Sequence, residues 1–244
     1  MGPQREGKDL IYSRRQMLLG AGAAGVLATT AKAESLAQIV AGLGRNTPPS
    51  TPSVATRVAA AAPVPARARI LVDPAIDPRL LARARAAFDA NRRLLRHTDI
   101  VGITDFAKGS GDKRFYLLET ATGRVSSHFV SHGRGSDPGH RGHLERFSNE
   151  YGSNASSAGA YLTSDYYHGK YGRSMRLKGL EHRNNNAEGR AIVVHSAWYA
   201  EPEVIREHGK LGRSEGCFAF SYASLQEVLA RMGPGRLLYA DKLA

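Results

Sequence analysis

Cysteine, tryptophan and methionine are scarce in this chain. Its 244 residues include one cysteine, one tryptophan and four methionines, and aromatic residues make up 7%. A single cysteine excludes an internal disulfide, so the stability of the fold must come from its hydrophobic core. The sequence also lacks a His-Glu-x-x-His run, an internal repeat and an apolar stretch of the roughly 20 residues that a membrane-spanning helix needs.

Positive charge is abundant, with a formal net charge of +12. Residues 1–33 have the features of a twin-arginine signal peptide: Arg14 and Arg15 precede a Gly/Ala/Leu-rich run at 20–28 and an Ala-Lys-Ala cleavage site at 31–33. Its removal takes away five basic and two acidic residues and leaves +9. We therefore expect a periplasmic or cell-envelope protein with acidic partners, no nucleic acid and no stable membrane span after cleavage.

The chain divides into four predicted regions. The signal peptide is followed by an Ala/Pro-rich linker at 34–66, a helical basic segment at 67–97 and a final domain at 98–244. Asp77 and Pro78 predict the start of a helix that continues to His97. One face of this helix carries six arginines, which form either a solvated face or a binding patch: Arg79, Arg83, Arg85, Arg92, Arg93 and Arg96.

Short apolar runs dominate the final domain and predict a mainly β (α+β) fold. Strands are predicted at 100–106, 114–118, 124–130, 160–163, 176–177, 191–195 and 236–239, with an amphipathic helix at 221–232. A glycine-rich loop spans 131–157, and loops of that length are usually functional or mobile.

The only cysteine, Cys217, lies in the glycine-rich, polar stretch 209–220. Folding can bring His195 or His208 to it, and an imidazole beside a thiol both accepts its proton and stabilises the thiolate. This pairing predicts a cysteine nucleophile. The alternative is a buried structural cysteine that packs as a small apolar side chain.

The loop histidines suggest a second alternative, a metallohydrolase. Four side chains of the loop could surround a zinc ion: His132, Asp137, His140 and His143. Because loop histidines are more often exposed than metal-bound, we predict no metal and no other cofactor.

Several segments together resemble a known family. They are His195-Ser196 at a strand end, Gly-Arg-Ser-Glu-Gly-Cys at 212–217, the hairpin at 115–125 and the segments 171–177 and 208–214. Over about residues 98–240 the chain resembles the L,D-transpeptidase catalytic domain of the YkuD type, with the closest likeness to the murein L,D-transpeptidase branch. The resemblance implies a β-sandwich-like domain, with a helix before it and one at its C-terminus, that acts on peptidoglycan stem peptides.

The resemblance also implies catalytic roles. Cys217 would attack the carbonyl between the third residue of the stem, a diamino acid, and the terminal D-alanine. His195 would act as base and then acid, and the Ser196 carbonyl would orient its ring. The amides of Gly216 and Cys217 would bind the oxyanion. Transfer to an amine makes a cross-link, whereas water as acceptor makes the site an L,D-carboxypeptidase.

For substrate binding we predict five residues: Tyr171, Arg176, His208, Arg213 and Ser214. The two arginines suit the free carboxylates of a stem peptide, and His208 would support the catalytic pair. The sequence departs from most family members at Glu215, where they carry histidine, and at Phe218-Ala219, where a polar or basic residue is usual. A monomer is expected, and the non-enzymatic alternative is a peptidoglycan-binding module with a vestigial thiol.

Overall fold

The computed structural model describes residues 76–243. The predicted signal peptide, the linker and residues 67–75 of the basic segment lie outside this range. Within it, the helices are α1 (Pro78–Asn91), α2 (Pro202–His208) and α3 (Tyr222–Met232). The strands are β1 (Ile100–Asp105), β2 (Phe115–Glu119), β3 (Val125–His128), β4 (Gly159–Gly169), β5 (Gly172–Gly179), β6 (Val193–Ser196), β7 (Phe218–Phe220) and β8 (Leu237–Asp241).

The eight strands form one mixed sheet in the order β3-β2-β1-β8-β4-β5-β6-β7. The pairs β1–β8 and β6–β7 are parallel, and the other neighbours are antiparallel. The predicted mainly β fold is therefore confirmed. Among the described residues, no helix combines the length and apolarity required to cross a bilayer.

Both faces of the central strands are buried. In β2, Phe115 and Leu117 join the core beneath α3, whereas Tyr116 and Leu118 join the core beneath α1. Successive side chains of a strand point to opposite faces, so this alternation gives each face its own apolar layer. The α3-side core continues under β6 and β7 and supports the strands that carry Cys217 and His195.

Helix α1 begins as predicted but ends earlier. Asp77 caps it by accepting a hydrogen bond from the Arg79 amide at 2.8 Å. The helix was predicted to reach His97, but the amides of Arg96 and His97 donate instead to the Gly235 carbonyl, at 2.9 and 3.1 Å. The α-helix has already ended at Asn91, followed by a 3₁₀ turn at Arg92–Leu94 and an extended Leu95, and the amides beyond it have a tertiary partner that sequence spacing cannot reveal.

The arginine-rich face of α1 is exposed throughout. Arg79 pairs with its own cap Asp77 at 3.0 Å, and Arg83 binds Asp241 at 2.9 Å. These contacts tie part of the face to the domain. Whether the remaining arginines bind a partner stays an open prediction.

Strands β4 and β5 are longer than predicted. They form one continuous hairpin, whereas the sequence pattern predicted only residues 160–163 and 176–177. The pairing shifts register between Thr163 and Tyr166, which breaks the alternation that marks a strand in sequence. Gly172 adopts φ +74° at the turn, a conformation that glycine accepts without strain.

Candidate active site

The pairing of β6 with β7 places Cys217 and His195 on the same face of the sheet. His195 lies opposite Ala219 in this parallel pair, and Cys217 precedes Ala219 by two residues. Cys217 directly precedes β7, and residues two apart along extended backbone share a face, so Cys217 lies on the same face as Ala219 and His195. The intervening side chains, Val194 and Phe218, point into the α3-side core.

Cys217 and His195 line one cleft of about 280 Å³. The rest of its wall is polar, aromatic or charged: Arg134, Lys170, Tyr171, Tyr199, Arg213, Ser214 and Glu215. Three cations face one carboxylate, so the cleft is positively charged and suits an anionic substrate. The structure thus brings together predicted residues from the distant segments 171, 195 and 213–217.

The geometry around His195 fixes its tautomer. Its Nδ1 lies 2.9 Å from the Ser196 carbonyl oxygen, which can only accept, so Nδ1 carries the proton and Nε2 has a free lone pair. The Tyr171 ring stacks on the imidazole, with a centroid distance of 4.3 Å and an interplanar angle of 22°. Burial lowers the pKa of His195, so the ring is neutral at pH 7.

The Cys217 thiol is protonated at rest. Burial raises its pKa to about 11, and the nearby carboxylate of Glu215 acts in the same direction, whereas the Val193 amide and Arg190 lower it. Sγ donates to the Ala191 carbonyl at 3.5 Å. Ala191 has φ +55°, an unusual conformation for a residue with a side chain, and this backbone strain lies next to the Cys217 thiol.

Ser214 stabilises the loop that carries Cys217. Its hydroxyl donates to the Cys217 carbonyl at 2.7 Å and accepts from the Gly216 amide at 3.1 Å. Gly216 has φ +114°, and a Cβ there would lie 2.7 Å from the Ala155 carbonyl oxygen and from Ile192 Cδ1. The Ser214 hydroxyl therefore links Gly216 to Cys217 by two hydrogen bonds. The Gly216 amide, which was predicted to bind the oxyanion, already donates to Ser214.

Residues near both ends of the glycine-rich loop at 131–157 form hydrogen bonds that hold residues 214–216. The Gly133 amide donates to the Ser156 hydroxyl at 3.0 Å, and that hydroxyl donates to the Gly216 carbonyl at 3.2 Å. The Arg134 amide donates to the Ser214 carbonyl at 2.8 Å. The backbone around the thiol is thus fixed from two sides. Ser156 was not predicted, because its role depends on contacts across 60 residues.

A buried polar chain leads from the core to Arg213. The Arg114 guanidinium donates to His132 Nδ1 at 2.8 Å, so His132 carries its proton on Nε2 and donates it to Asp137 at 3.3 Å. Burial lowers the pKa of His132 to about 3 and that of Arg114 to about 9. The Asp137 and Pro138 carbonyls accept hydrogen bonds from Arg213, which holds this cation at the cleft wall.

The same contacts bear on the metal alternative. The His132 lone pair faces a guanidinium, and the ring of His140 is engaged at Nε2 with the Leu211 carbonyl at 3.1 Å. Among residues 76–243, no three His, Cys, Asp or Glu side chains are grouped so that they could hold a metal ion. His132 and His140 therefore take part in the protein's own polar network.

Two predicted substrate-binding residues do not line the cleft. His208 ends α2, where its side chain is exposed and lies 3.8 Å from the Glu207 carboxylate. Arg176 is exposed on the sheet face that carries Cys217, but its guanidinium packs over the Tyr167 ring at 4.4 Å.

Three residues that line the cleft were not predicted as site residues from the sequence: Arg134, Lys170 and Tyr199. Lys170 directly precedes Tyr171 in the turn between β4 and β5, so its position could have been inferred from the predicted role of Tyr171. Arg134 lies in the glycine-rich loop, and only the pairing of that loop with Ser214 places it beside the thiol.

A family model described as L,D-transpeptidase catalytic domain matches residues 73–240, which is more than half of the chain. No match is found among curated proteins.

The solved structures that match this chain include three L,D-transpeptidases. The structure from Mycobacterium smegmatis is 13% identical over 59% of this chain and 58% of its own length, with a TM-score of 0.36. The one from Xylanimonas cellulosilytica is 18% identical over 64% and 68%, with a TM-score of 0.35. The one from Mycobacterium tuberculosis is 14% identical over 59% and 57%, with a TM-score of 0.34. This chain thus spans less than two thirds of the length of either mycobacterial structure.

The family assignment rests on the family model, whose match includes all eight strands up to Ala240 in β8 and the complete cleft. The chain therefore belongs to the family of L,D-transpeptidase catalytic domains.

Proposed function

We propose that this chain is a cysteine L,D-transpeptidase that cleaves stem tetrapeptides of peptidoglycan and transfers the acyl group to an amine. The observation that carries the proposal is the cleft shared by Cys217 and His195, in which the Ser196 carbonyl holds Nδ1 and leaves Nε2 as the base. The positive charge of the cleft suits the free carboxylates of such a substrate.

Acylation begins with a neutral thiol and a neutral imidazole. As Sγ bonds to the carbonyl carbon of the diamino acid, its proton passes to Nε2 of His195, and the carbonyl electrons move to oxygen. Collapse of this tetrahedral intermediate breaks the C–N bond, and His195 returns the proton to the departing D-alanine amine. The product is a thioester on Cys217.

Deacylation reverses the proton path. An amine of another stem donates its proton to Nε2 and attacks the thioester carbonyl, which releases the thiol and forms the cross-link. Water in place of the amine yields a tripeptide. The Cys217 amide is the expected oxyanion donor, whereas the Gly216 amide would have to exchange its Ser214 partner to contribute.

The test uses residues 34–244 and a disaccharide tetrapeptide. We expect the mass of a thioester on Cys217, release of D-alanine, and loss of both in Cys217→Ala and His195→Ala. Arg206→Ala, an exposed change in α2, is the matched control. Undiminished D-alanine release by Cys217→Ala would contradict the proposal.

The products identify the acceptor reaction. Cross-linked dimers indicate transpeptidation, whereas tripeptide alone indicates the L,D-carboxypeptidase. Binding to sacculi without D-alanine release would indicate the peptidoglycan-binding module, and sensitivity to a chelator would favour the metallohydrolase.

The proposal also places the enzyme in the periplasm, exported by the twin-arginine route. Replacing Arg14 and Arg15 together by lysine should retain the precursor in the cytoplasm, as measured by cell fractionation. Export of this variant at the wild-type level would contradict the twin-arginine assignment.

A further inference from the structure

An ion pair spans the mouth of the cleft beside the thiol. Arg134 Nη2 lies 3.1 Å from Glu215 Oε1, and the two side chains are 56% and 61% exposed. Both residues line the cleft with Cys217. The carboxylate stands two residues before the nucleophile, at a position where the sequence departs from most family members.

The main chain at Arg134 and Glu215 is held by hydrogen bonds, whereas their charged groups are exposed to solvent. The Arg134 amide donates to the Ser214 carbonyl at 2.8 Å, and the adjacent Gly133 forms a parallel bridge with Ser214. The backbones that carry Arg134 and Glu215 therefore stay in register. Because exposed ion pairs contribute little to stability, a ligand can replace this one at small cost.

We propose that Arg134 and Glu215 form a subsite for a zwitterionic amino-acid head, in which one carbon carries both an ammonium and a carboxylate. Glu215 binds the ammonium and Arg134 binds the carboxylate, so two new ion pairs replace the resident one. The inference rests on the proposed function, because it assigns the head to the free end of the diaminopimelate side chain in the stem peptide.

The reach of that side chain fits the position of the pair. The carbonyl that Cys217 would attack belongs to the diamino acid itself, and three methylene groups separate its Cα from the zwitterionic carbon. Glu215 precedes Cys217 by two residues, so their Cα atoms are at most about 7 Å apart, and the bend at Gly216, where φ is +114°, keeps them within that limit. A substrate with its carbonyl at Sγ can thus present its side-chain head to Glu215.

The other cations of the cleft are engaged differently. Arg213 donates to the main-chain carbonyls of Asp137 and Pro138, and Lys170 packs over the Tyr171 ring at 5.4 Å. Arg134 is the cleft cation whose side chain pairs with a carboxylate, which the carboxylate of a ligand can replace. The ammonium of the same ligand then takes over Glu215, whose charge raises the pKa of the thiol in the free protein.

The test measures binding in the Cys217→Ala protein, so that turnover is not required. Three disaccharide tetrapeptides serve as probes: one with diaminopimelate, one with its side-chain carboxylate amidated and one with lysine, which has the ammonium but no carboxylate. Calorimetry should show about threefold to fivefold tighter binding of the diaminopimelate probe than of either other probe, which is the upper range for one exposed ion pair.

Arg134→Ala should abolish this discrimination by weakening only the diaminopimelate probe, and Glu215→Gln should weaken all three probes. Arg206→Ala is the control, because Arg206 forms an exposed 2.6 Å pair with Glu203 outside the cleft lining. The charge swap Arg134→Glu with Glu215→Arg restores an ion pair but reverses the polarity of the subsite. It should not restore discrimination if the pair binds substrate.

Equal binding of the three probes, discrimination that survives Arg134→Ala, or full rescue by the charge swap would each overturn the inference. These outcomes are independent of catalysis. D-alanine release by the enzyme with an intact Cys217 tests the proposed function separately, so failure of one can be told from failure of the other.

Discussion

The half-buried thiol of Cys217, whose pKa is raised to about 11, is expected to be alkylated slowly at neutral pH. Burial raises its pKa to about 11, and the neutral His195 has no positive charge with which to stabilise a thiolate. Iodoacetamide reacts with the thiolate, so its rate reports the ionised fraction. We expect the rate constant of Cys217 to rise with pH up to the pKa of the thiol, without a plateau near neutrality.

The expected alkylation rate of Cys217, relative to that of a free cysteine, follows from two opposing effects. At pH 7.5 a thiol of pKa about 11 is ionised to ~0.03%, against ~10% for a free cysteine of pKa about 8.5, a deficit of roughly 300-fold. A more basic thiolate is also more nucleophilic. With a Brønsted coefficient of about 0.45, the Cys217 thiolate should react roughly 13-fold faster than the thiolate of a free cysteine. Cys217 should therefore react about 20-fold more slowly than a free cysteine.

The assay is mass spectrometry of the carbamidomethylated protein over time, from pH 6 to 10, with an unstructured cysteine peptide as the reference. A rate constant that is independent of pH from 6 to 9 would show a preformed thiolate–imidazolium pair and refute the reasoning. His195→Ala separates the two cases further. A neutral pair predicts equal or faster alkylation in this variant, because burial of the thiol decreases, whereas an ion pair predicts slower alkylation.

Further predictions concern the surroundings of this pair. Glu215→Gln removes a charge that raises the pKa of Cys217, so the alkylation profile should move to lower pH; a shift to higher pH would contradict this. Ser214→Ala removes two hydrogen bonds from the nucleophile loop and should lower the free energy of unfolding in urea by about 1–3 kcal/mol, whereas an unchanged midpoint would deny it a structural role. Tyr171→Ala exposes His195, whose pKa is lowered by burial; its pKa should rise, and the acidic limb of the kcat/KM profile should move to higher pH.

The sequence predicted the elements whose signal is local. Short apolar runs marked the central strands, Asp77 and Pro78 marked the start of α1, and the amphipathic pattern at 221–232 marked α3, which Ser221 caps. Family-like segments also pointed to Cys217 and His195, which the parallel pair β6–β7 places on one face. These features depend on short-range periodicity and capping, which a single sequence records.

The features that the sequence did not predict depend on distant partners. The register shift in β4 hides its continuation beyond Thr163. After α1, a 3₁₀ turn at Arg92–Leu94 replaces the predicted helix, and the amides of Arg96 and His97 donate to the distant Gly235 carbonyl. Ser214 was predicted to bind substrate and lines the cleft, but its hydroxyl also joins Gly216 to Cys217, a supporting role that was not predicted. Hydrogen-bond partners of this kind are chosen by the folded backbone, and the residue type alone does not specify them.

The proposed catalytic pair lies at strands, whereas the proposed substrate-binding pair, Arg134 and Glu215, lies on loops. His195 lies in β6 and Cys217 borders β7, and both strands rest on the buried α3-side core. The charges at the cleft mouth stand on loops that are joined to the site through main-chain hydrogen bonds, such as Arg134 to Ser214. A side-chain change at Arg134 or Glu215 leaves those main-chain bonds intact. Substrate choice can therefore change at this subsite while the cysteine–histidine geometry stays constant, which is why the binding of matched probes, rather than activity alone, is the decisive measurement.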